Sequence, residues 1–126
     1  MPSSFSETNH SCAAVLFEED FNYSRDNVTL KAGTSGQVVK AGTVTAKITA
    51  TGKWVPAVAA AGDGSQTAVG MLLYDTDITA DVVAVMLVRQ AEVNANLLVW
   101  DTSINDGPKK AAAAVQLAAV GIIVRA

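Results

Sequence analysis

Two apolar runs on either side of a polar loop constrain the fold more than any other part of the sequence. The runs extend from Ala68 to Tyr74 and from Val82 to Val88, and both are rich in Val, Leu and Met. The loop between them, Asp75 to Asp81, carries three aspartates and two threonines. Apolar runs of this length with turn-forming residues between them predict a β-hairpin. Gly70 lies inside the first run, where glycine indicates a β-bulge or a close approach of another part of the chain.

The residues before the hairpin have the pattern of further short strands. Residues 43–50, TVTAKITA, alternate polar Thr and Lys with apolar Val, Ala and Ile. This alternation predicts a half-buried strand whose threonines face solvent. Trp54 and Val55 follow after a Thr-Gly-Lys turn. Pro56 has no backbone N–H, so we expect their strand to end there or to lie at a sheet edge.

Two short helices are predicted after the hairpin. Apolar residues recur at helical spacing between Ala91 and Trp100, which predicts the first helix. The run KKAAAAVQLAAV predicts the second, with Asp106 as its N-cap and Gly121 just past its end, and residues 122–125 form a last strand. The chain is therefore predicted to be a β-rich α+β domain with short hairpins and two short helices.

The predicted core of this domain is built largely from small side chains. Half of the residues are hydrophobic but only 6% are aromatic, and small side chains each bury little area at ~25 cal/mol per Å². We therefore expect association with other chains to supply part of the stability. The residues assigned to the core are Trp54, Val69, Leu72, Val85, Leu87, Leu97 and Trp100.

Residues 1–26 differ in composition from the rest of the chain and contain all three of its phenylalanines. The segment is rich in Ser, Asn and Glu, and a polar segment with isolated aromatic residues cannot bury a core of its own. Two interpretations stay open: a loose tail, or an extended docking arm whose aromatic side chains anchor a partner. The second divides the chain into an arm, residues 1–26, and a β-rich domain, residues 27–126. The predicted contact residues of the arm are Val15, Phe17, Phe21, Tyr23 and Arg25.

Charge and hydropathy exclude several classes of protein. The net charge is -3 and no basic cluster exceeds a pair of lysines, so we expect no nucleic-acid partner. No apolar run approaches the ~18 to 20 residues that a membrane-spanning helix needs, and the first residues lack the pattern of a secretory signal. Cys12 is the single cysteine, which excludes an internal disulfide. We expect a soluble protein that is made in a cytosol and has no membrane partner.

The residue pattern of an enzyme or a metal site is also missing. The sequence has no G-x-S-x-G element, and its single histidine, His10, lies in the arm. The loop from Asp75 to Asp81 begins like a calcium loop, but Ala80 stands where such a loop requires glycine and Met86 where it requires glutamate. We predict a solvated hairpin loop, no enzymatic activity, and no cofactor or metal.

Several segments, taken in order, resemble one known family. The segments are GKWVP, DGSQTAVGMLL, VAVMLVRQAEV, LLVW and KKAAAAVQLAAVGIIV, which together run from about Lys53 to Val124. The chain resembles the head decoration proteins of tailed bacteriophages, the family of the phage lambda capsid-stabilising protein D. The resemblance implies a small β-clip-like domain that forms a homotrimer on the outer surface of the virion capsid. It also implies binding to the major capsid protein at three-fold and quasi-three-fold sites after the shell expands, which stabilises the head against packaged DNA.

Two other functions stay open at this stage. A tail or baseplate adaptor would also be a β-rich oligomer with an arm, but it would form rings, commonly of six subunits. A biotinyl or lipoyl carrier domain would use Lys53, between Gly52 and Trp54, as its acceptor lysine. For the decoration protein, we expect the arm to add a strand to an exposed sheet edge of the major capsid protein.

Overall fold

The computed structural model describes residues 13–125, and within them the fold is dominated by β-strands. The first half contains β1 (Val15–Glu18), α1 (Phe21–Ser24), β2 (Arg25–Leu30), β3 (Val38–Val39), β4 (Val44–Lys47) and β5 (Trp54–Pro56). The second half contains β6 (Ala68–Leu72), β7 (Thr76–Asp77), β8 (Val82–Leu87), β9 (Ala91–Asn94), a 3-10 turn (Ala95–Leu97), α2 (Gly107–Ala119) and β10 (Ile122–Arg125). The predicted β-rich α+β class is confirmed.

Five strands, in the order β2, β5, β4, β6 and β8, close into a barrel. β6 and β8 pair antiparallel, with Met71 opposite Leu87 and Leu72 opposite Met86, so the predicted hairpin is confirmed. The loop between β6 and β8 contains the short strand β7, which pairs with β3 as a separate two-stranded sheet. β2 pairs with β8 along its whole length. On its other side β2 pairs with β5 at one residue pair, Leu30 with Trp54, and this pair closes the barrel.

The barrel wall separates two apolar cores. Trp54, Leu72 and Met86 point to the inside of the barrel and form one cluster. The alternate wall residues Met71 and Leu87 belong to a second cluster, which includes residues of α2, β9 and β10. Because successive strand residues point to opposite faces, β6 and β8 contribute to both cores. The continuous apolar runs of the hairpin follow from this burial on both faces.

Gly70 is the point where the barrel wall is most tightly packed. A Cβ atom at this position would lie 2.8 Å from Cζ3 of Trp54 and 2.9 Å from the carbonyl oxygen of Leu87. The register between β4 and β6 also shifts beside Gly70, between Thr45 and Ala46. The predicted close approach and the predicted bulge are therefore both present.

Two buried threonines, one just before β4 and one within it, contradict the predicted polar face of that strand. Thr43 and Thr45 are buried, with exposures of 4% and 0%. The Thr45 hydroxyl donates to the sulfur of Met86 at 3.0 Å, and the Thr43 hydroxyl donates to the carbonyl of Lys40 at 2.6 Å. The prediction was wrong because β4 lies between β5 and β6 in the barrel and packs against apolar residues on both of its faces.

The helix predicted over residues 91–100 is also wrong. The segment begins as β9, in which Ala91 and Val93 are buried and the two residues between and after them are half-buried. A 3-10 turn follows, and Asn94 caps it by accepting from the backbone N–H of Asn96 at 3.0 Å. Over so short a stretch, the apolar spacing is compatible with a helix and also with a strand followed by a turn. The segment forms a strand because it pairs with β1 on one side and with β10 on the other.

A three-stranded sheet, in the order β1, β9 and β10, covers the second core. β9 runs antiparallel to β1 and parallel to β10, so the sheet joins the first and last described strands. Gln90 connects the barrel to this sheet with a φ of 49°, which is uncommon for a residue other than glycine. Its carbonyl oxygen accepts from the N–H of Glu19 and from the hydroxyl of Ser24, each at 3.1 Å.

α2 has the ends that the sequence predicts. The Asp106 side chain accepts from the backbone N–H of Lys109 at 2.9 Å, Pro108 lies in the first turn, and Gly121 follows the C-cap with a φ of 88°. Ala113 and Leu117 are the buried residues of the helix, and they pack in the second core. Among the described residues, neither α2 nor any other helix has the length and apolar character needed to cross a membrane.

Candidate functional site

The aspartates of the acidic loop between β6 and β8 accept hydrogen bonds from backbone N–H groups. Within residues 13–125, no three His, Cys, Asp or Glu side chains converge in a way that could bind a metal. Asp75 accepts from the N–H of Ala41 at 2.7 Å, and Asp77 accepts from the N–H of Thr79 at 2.8 Å. The hydrogen bonds from the Thr79 hydroxyl and N–H hold the pKa of Asp77 below its ordinary value. Asp77 therefore stabilises the local turn, and Asp75 ties the loop to the residues before β4.

Lys53, the acceptor residue of the carrier alternative, is engaged in an ion pair. Its Nζ lies 2.5 Å from Oδ2 of Asp81, and the other carboxylate oxygen, Oδ1, accepts from the N–H of Ala32 at 2.8 Å. The hydrogen bond from Lys53, followed by that from Ala32, holds the pKa of Asp81 below its ordinary value. The lysine links the start of β5 to the residue before β8, whereas a carrier lysine projects freely from a hairpin tip.

The outer surface of the three-stranded sheet carries a row of aligned side chains. Phe17 of β1 lies opposite Glu92 of β9, and Glu92 lies opposite Ile123 of β10. Directly opposed residues point to the same side of a sheet, so the three side chains form a line across it. Phe17 is 56% exposed and Ile123 is 40% exposed. Arg125, next but one after Ile123, donates to the carboxylate of Glu92. We call these four residues the sheet face.

The sheet that carries this face is open at both edges within the part of the chain that the structure describes. β1 and β10 each pair with β9 on one side and with no described strand on the other. A register shift between Val15 and Phe17 leaves Leu16 52% exposed at the β1 edge. An open strand edge can bind an extended segment of another protein, while a bulge limits indiscriminate pairing.

Two arginines outside the sheet face each contact a tyrosine and a carboxylate, and Arg89 is the first of them. Its guanidinium lies 5.4 Å from the ring centroid of Tyr23, within the range of a cation–π contact. It also makes two hydrogen bonds to the carboxylate of Asp26, at 2.7 and 3.1 Å. The hydrogen bond to Asp26 raises the pKa of Arg89 further above its ordinary value. The arginine therefore holds the half-exposed tyrosine ring in one orientation.

Arg25, the residue before Asp26 in β2, makes a parallel set of contacts. It donates to both carboxylate oxygens of Glu18, at 2.6 and 2.8 Å, and its Nη1 lies 3.5 Å from the hydroxyl of Tyr74. Tyr and Arg are enriched in protein–protein interfaces and dominate their binding energies. Because Arg25 and Asp26 are successive residues of β2, their side chains point to opposite faces of the strand, and the contacts form two separate sets. We call the two sets together the tyrosine–arginine cluster: Glu18, Arg25 and Tyr74 in one, and Tyr23, Asp26 and Arg89 in the other.

The predicted arm residues lie in different surroundings. Phe17 is on the sheet face, while Tyr23 and Arg25 belong to the tyrosine–arginine cluster. Val15 is half-buried and packs against the second core. Phe21 belongs to α1, and its side chain lies outside the described part of the structure, as do residues 1–12. The division of the chain at residue 26 stays a prediction.

The residues assigned to the core in the sequence differ in their burial. Trp54, Leu72 and Leu87 are buried, and the other four are partly buried and pack against one of the two cores: Val69, Val85, Leu97 and Trp100. Sequence reasoning missed Glu92 and Ile123 as surface residues. For Glu92 the available signal was the alternation of apolar and polar residues in AEVN, which the predicted helix over residues 91–100 obscured, whereas the apolar run IIV gave no signal for Ile123.

The sequence matches the model of a known protein family. A family model described as bacteriophage lambda head decoration protein D matches residues 4–122. The matched range contains all of the tyrosine–arginine cluster, together with Phe17 and Glu92 of the sheet face. None of the curated proteins compared with the chain matches it.

Proposed function

Since the chain belongs to the bacteriophage lambda head decoration protein D family, we propose that it is a cementing protein of an icosahedral phage head. It binds as a homotrimer to the outer surface of the expanded shell, at three-fold and quasi-three-fold sites. There it contacts the major capsid protein and stabilises the head against the pressure of packaged DNA. The observation that carries this proposal is the family match over residues 4–122 of 126. Head decoration is a structural role and not an enzyme class.

Docking through the N-terminal part of the chain is the proposed mode of attachment. The open edge of β1 offers backbone groups for pairing with an extended segment, and Leu16 and Phe17 offer apolar side chains beside it. Tyr23 and Arg25 extend the contact into the tyrosine–arginine cluster. In a cyclic trimer three such surfaces engage the shell together. Multivalency of this kind raises avidity by ~10² to 10⁴ over a single contact.

The head is stabilised because the protein binds the assembled shell in preference to its separated subunits. A protein that binds the closed lattice and not its separated subunits shifts the equilibrium toward the lattice by mass action. The stabilisation grows with the number of occupied sites, because opening the shell must break the contacts of every bound trimer. Tight binding of one copy is therefore not required.

Co-sedimentation with expanded heads that lack the protein tests the proposal. The bound protein is quantified as copies per capsid-protein subunit, and the free protein is sized by light scattering coupled to gel filtration. We expect trimers in solution and saturation at about one copy per shell subunit, since three-fold sites on the lattice match a cyclic trimer. A well-folded protein that does not sediment with heads would refute decoration, and a six-membered ring would support an adaptor.

A further inference from the structure

Two segments that belong to no barrel strand form a lid over the barrel interior. The segments are residues 32–41, between β2 and β4, and residues 74–81, between β6 and β8, and they carry β3 and β7. β3 and β7 pair with each other and with no other described strand. Val39 and Ile78 are 5% and 4% exposed and belong to the apolar cluster inside the barrel. The lid therefore covers this cluster without joining the strand pairing of the barrel wall.

Hydrogen bonds between the two segments hold the lid together. The N–H of Gly33 donates to the carbonyl of Ile78 at 2.8 Å, and the N–H of Ile78 donates to the carbonyl of Gln37 at 2.9 Å. The N–H of Gly36 donates to the hydroxyl of Thr79 at 2.9 Å. The segments also pack closely, since a Cβ atom at Gly33 would lie 2.6 Å from Cδ1 of Ile78. The lid is therefore a compact unit of the kind that can open locally while the rest of a protein stays folded.

Asp81 fastens the lid at one of the two places where it leaves the barrel. It lies one residue before β8 and accepts from the N–H of Ala32, which lies two residues after β2. Its carboxylate also pairs with Lys53, the residue before β5. A single side chain thus connects the ends of three barrel strands. The side chains of Asp81 and Lys53 are 40% and 37% exposed, so solvent protons reach the pair.

Asp75 fastens the lid at the second place, between β6 and β4. One of its carboxylate oxygens accepts from the N–H of Ala41 at 2.7 Å, and the other lies 3.8 Å from Nζ of Lys40. We propose that the lid is an acid-sensitive device: protonation of Asp75 and Asp81 releases both fastenings, and the lid opens while the barrel stays folded. The open state uncovers the apolar cluster inside the barrel. Lid opening is a property of the free protein and does not rest on the proposed function.

The charges around the lid set the direction of the response to pH. Asp81 faces Lys53 and, at longer range, Lys31, and the hydrogen bond from Lys53 is the largest cause of its lowered pKa. The pKa of Asp77, inside the lid, is lowered by the hydrogen bonds from Thr79. A carboxylate whose pKa is lowered by folding contributes stability above its ordinary pKa, and the contribution is lost as the pH falls through the lowered value. The lid is therefore closed at neutral pH and opens below about pH 4.

Hydrogen exchange followed by mass spectrometry tests the lid in the full-length protein at neutral pH. The double variant Asp75→Ala/Asp81→Ala removes both fastenings, and we expect the two lid segments to exchange about tenfold faster. The strands β4 and β8 should keep the exchange rates of the unsubstituted protein. Asp101→Ala is the matched control, because Asp101 accepts from the N–H and hydroxyl of Ser103, at 3.0 and 2.6 Å, but lies outside the lid. We expect lid exchange in this control to be unchanged.

Acidification gives a second reading on the same proteins. Between pH 7 and about pH 3, after correction for the intrinsic pH dependence of exchange, the lid of the unsubstituted protein should lose protection while its far-UV circular dichroism is unchanged. The double variant should show much less of this change, because its fastenings are already absent. Lid exchange in the double variant at the rate of the unsubstituted protein overturns the inference. Parallel loss of protection in the lid and in β4 and β8 also overturns it, because the lid would then not open separately.

Two single variants carry the test if the double variant does not fold. Asp75→Asn and Asp81→Asn each keep an acceptor oxygen and remove only the charge, and we expect lid exchange about threefold faster in each. Circular dichroism identifies which variants are folded. Unchanged lid exchange in both single variants overturns the inference. Head binding enters none of these measurements, so their outcome is independent of the co-sedimentation result.

Discussion

Substitution of Gly70 by alanine should destabilise the barrel, because the added methyl group has no room on either side. The new Cβ would lie 2.8 Å from Cζ3 of Trp54 and 2.9 Å from the carbonyl oxygen of Leu87. The first atom belongs to a ring packed inside the barrel, and the second belongs to the backbone of β8. Neither can yield without moving other core residues.

Overpacking of this kind costs about 1 to 3 kcal/mol, and contact with both a ring and a backbone atom favours a cost of about 2 kcal/mol. For a domain of this size that corresponds to a decrease of about 6 to 10 °C in the melting temperature. The assay is urea unfolding followed by tryptophan fluorescence, with both proteins at one concentration because any self-association would make the apparent stability depend on concentration.

Gly62→Ala is the control for this experiment. Nothing lies within 4 Å of a Cβ atom at Gly62, so the free energy of unfolding should stay within about 0.5 kcal/mol of the unsubstituted protein. A Gly70→Ala variant as stable as the control would refute the packing argument and would mean that β6 and β8 can separate at little cost.

Three further predictions concern the caps, the acidic loop and the arm. Asp106→Ala removes the N-cap of α2 and should lower the free energy of unfolding by about 1 kcal/mol, whereas Asn105→Ala should change it little; equal effects would contradict the cap. The pKa of Asp81 is lowered in the fold, so its contribution to stability is present above its ordinary pKa and is lost as the pH falls through the lowered value. The stability difference between the unsubstituted protein and Asp81→Asn should therefore be constant from about pH 5 to 8 and shrink below about pH 4 in thermal melts; a difference that grows on acidification would reverse the sign. Deletion of residues 2–12, which leaves β1 in place, should preserve folding and weaken head binding in co-sedimentation, and unchanged binding would remove those residues from the docking arm.

The features of the fold that are local in sequence could be predicted from it. The β6–β8 hairpin follows from two apolar runs and a turn-forming loop, and the ends of α2 follow from Asp106 and Gly121. Burial of Thr45 could not be predicted, because its hydrogen-bond partner, Met86, lies 41 residues away. The strand β9 was mistaken for a helix because its pattern is ambiguous until its two neighbouring strands are known.

The candidate site shows the same limit. Phe17 could be selected from the sequence as an isolated aromatic residue in a polar segment, and it is exposed in the fold. Ile123 could not, because a residue in a short apolar strand looks like core until the side of the sheet is known. The row of Phe17, Glu92 and Ile123 depends on the register between three strands, two of which are far from the third in the chain. The sequence of a single strand does not determine its register with the others.

The position of β9 between β1 and β10 sets the order in which the protein can mature. Contacts between distant parts of a chain form late, because the intervening loop must close first. The barrel strands and β9 leave the ribosome before β10, so the barrel can fold while one side of β9 still has no partner. Residues 122–125 complete the three-stranded sheet only at the end of synthesis. A chain that stops before Ile123 would therefore contain a barrel but no completed three-stranded sheet.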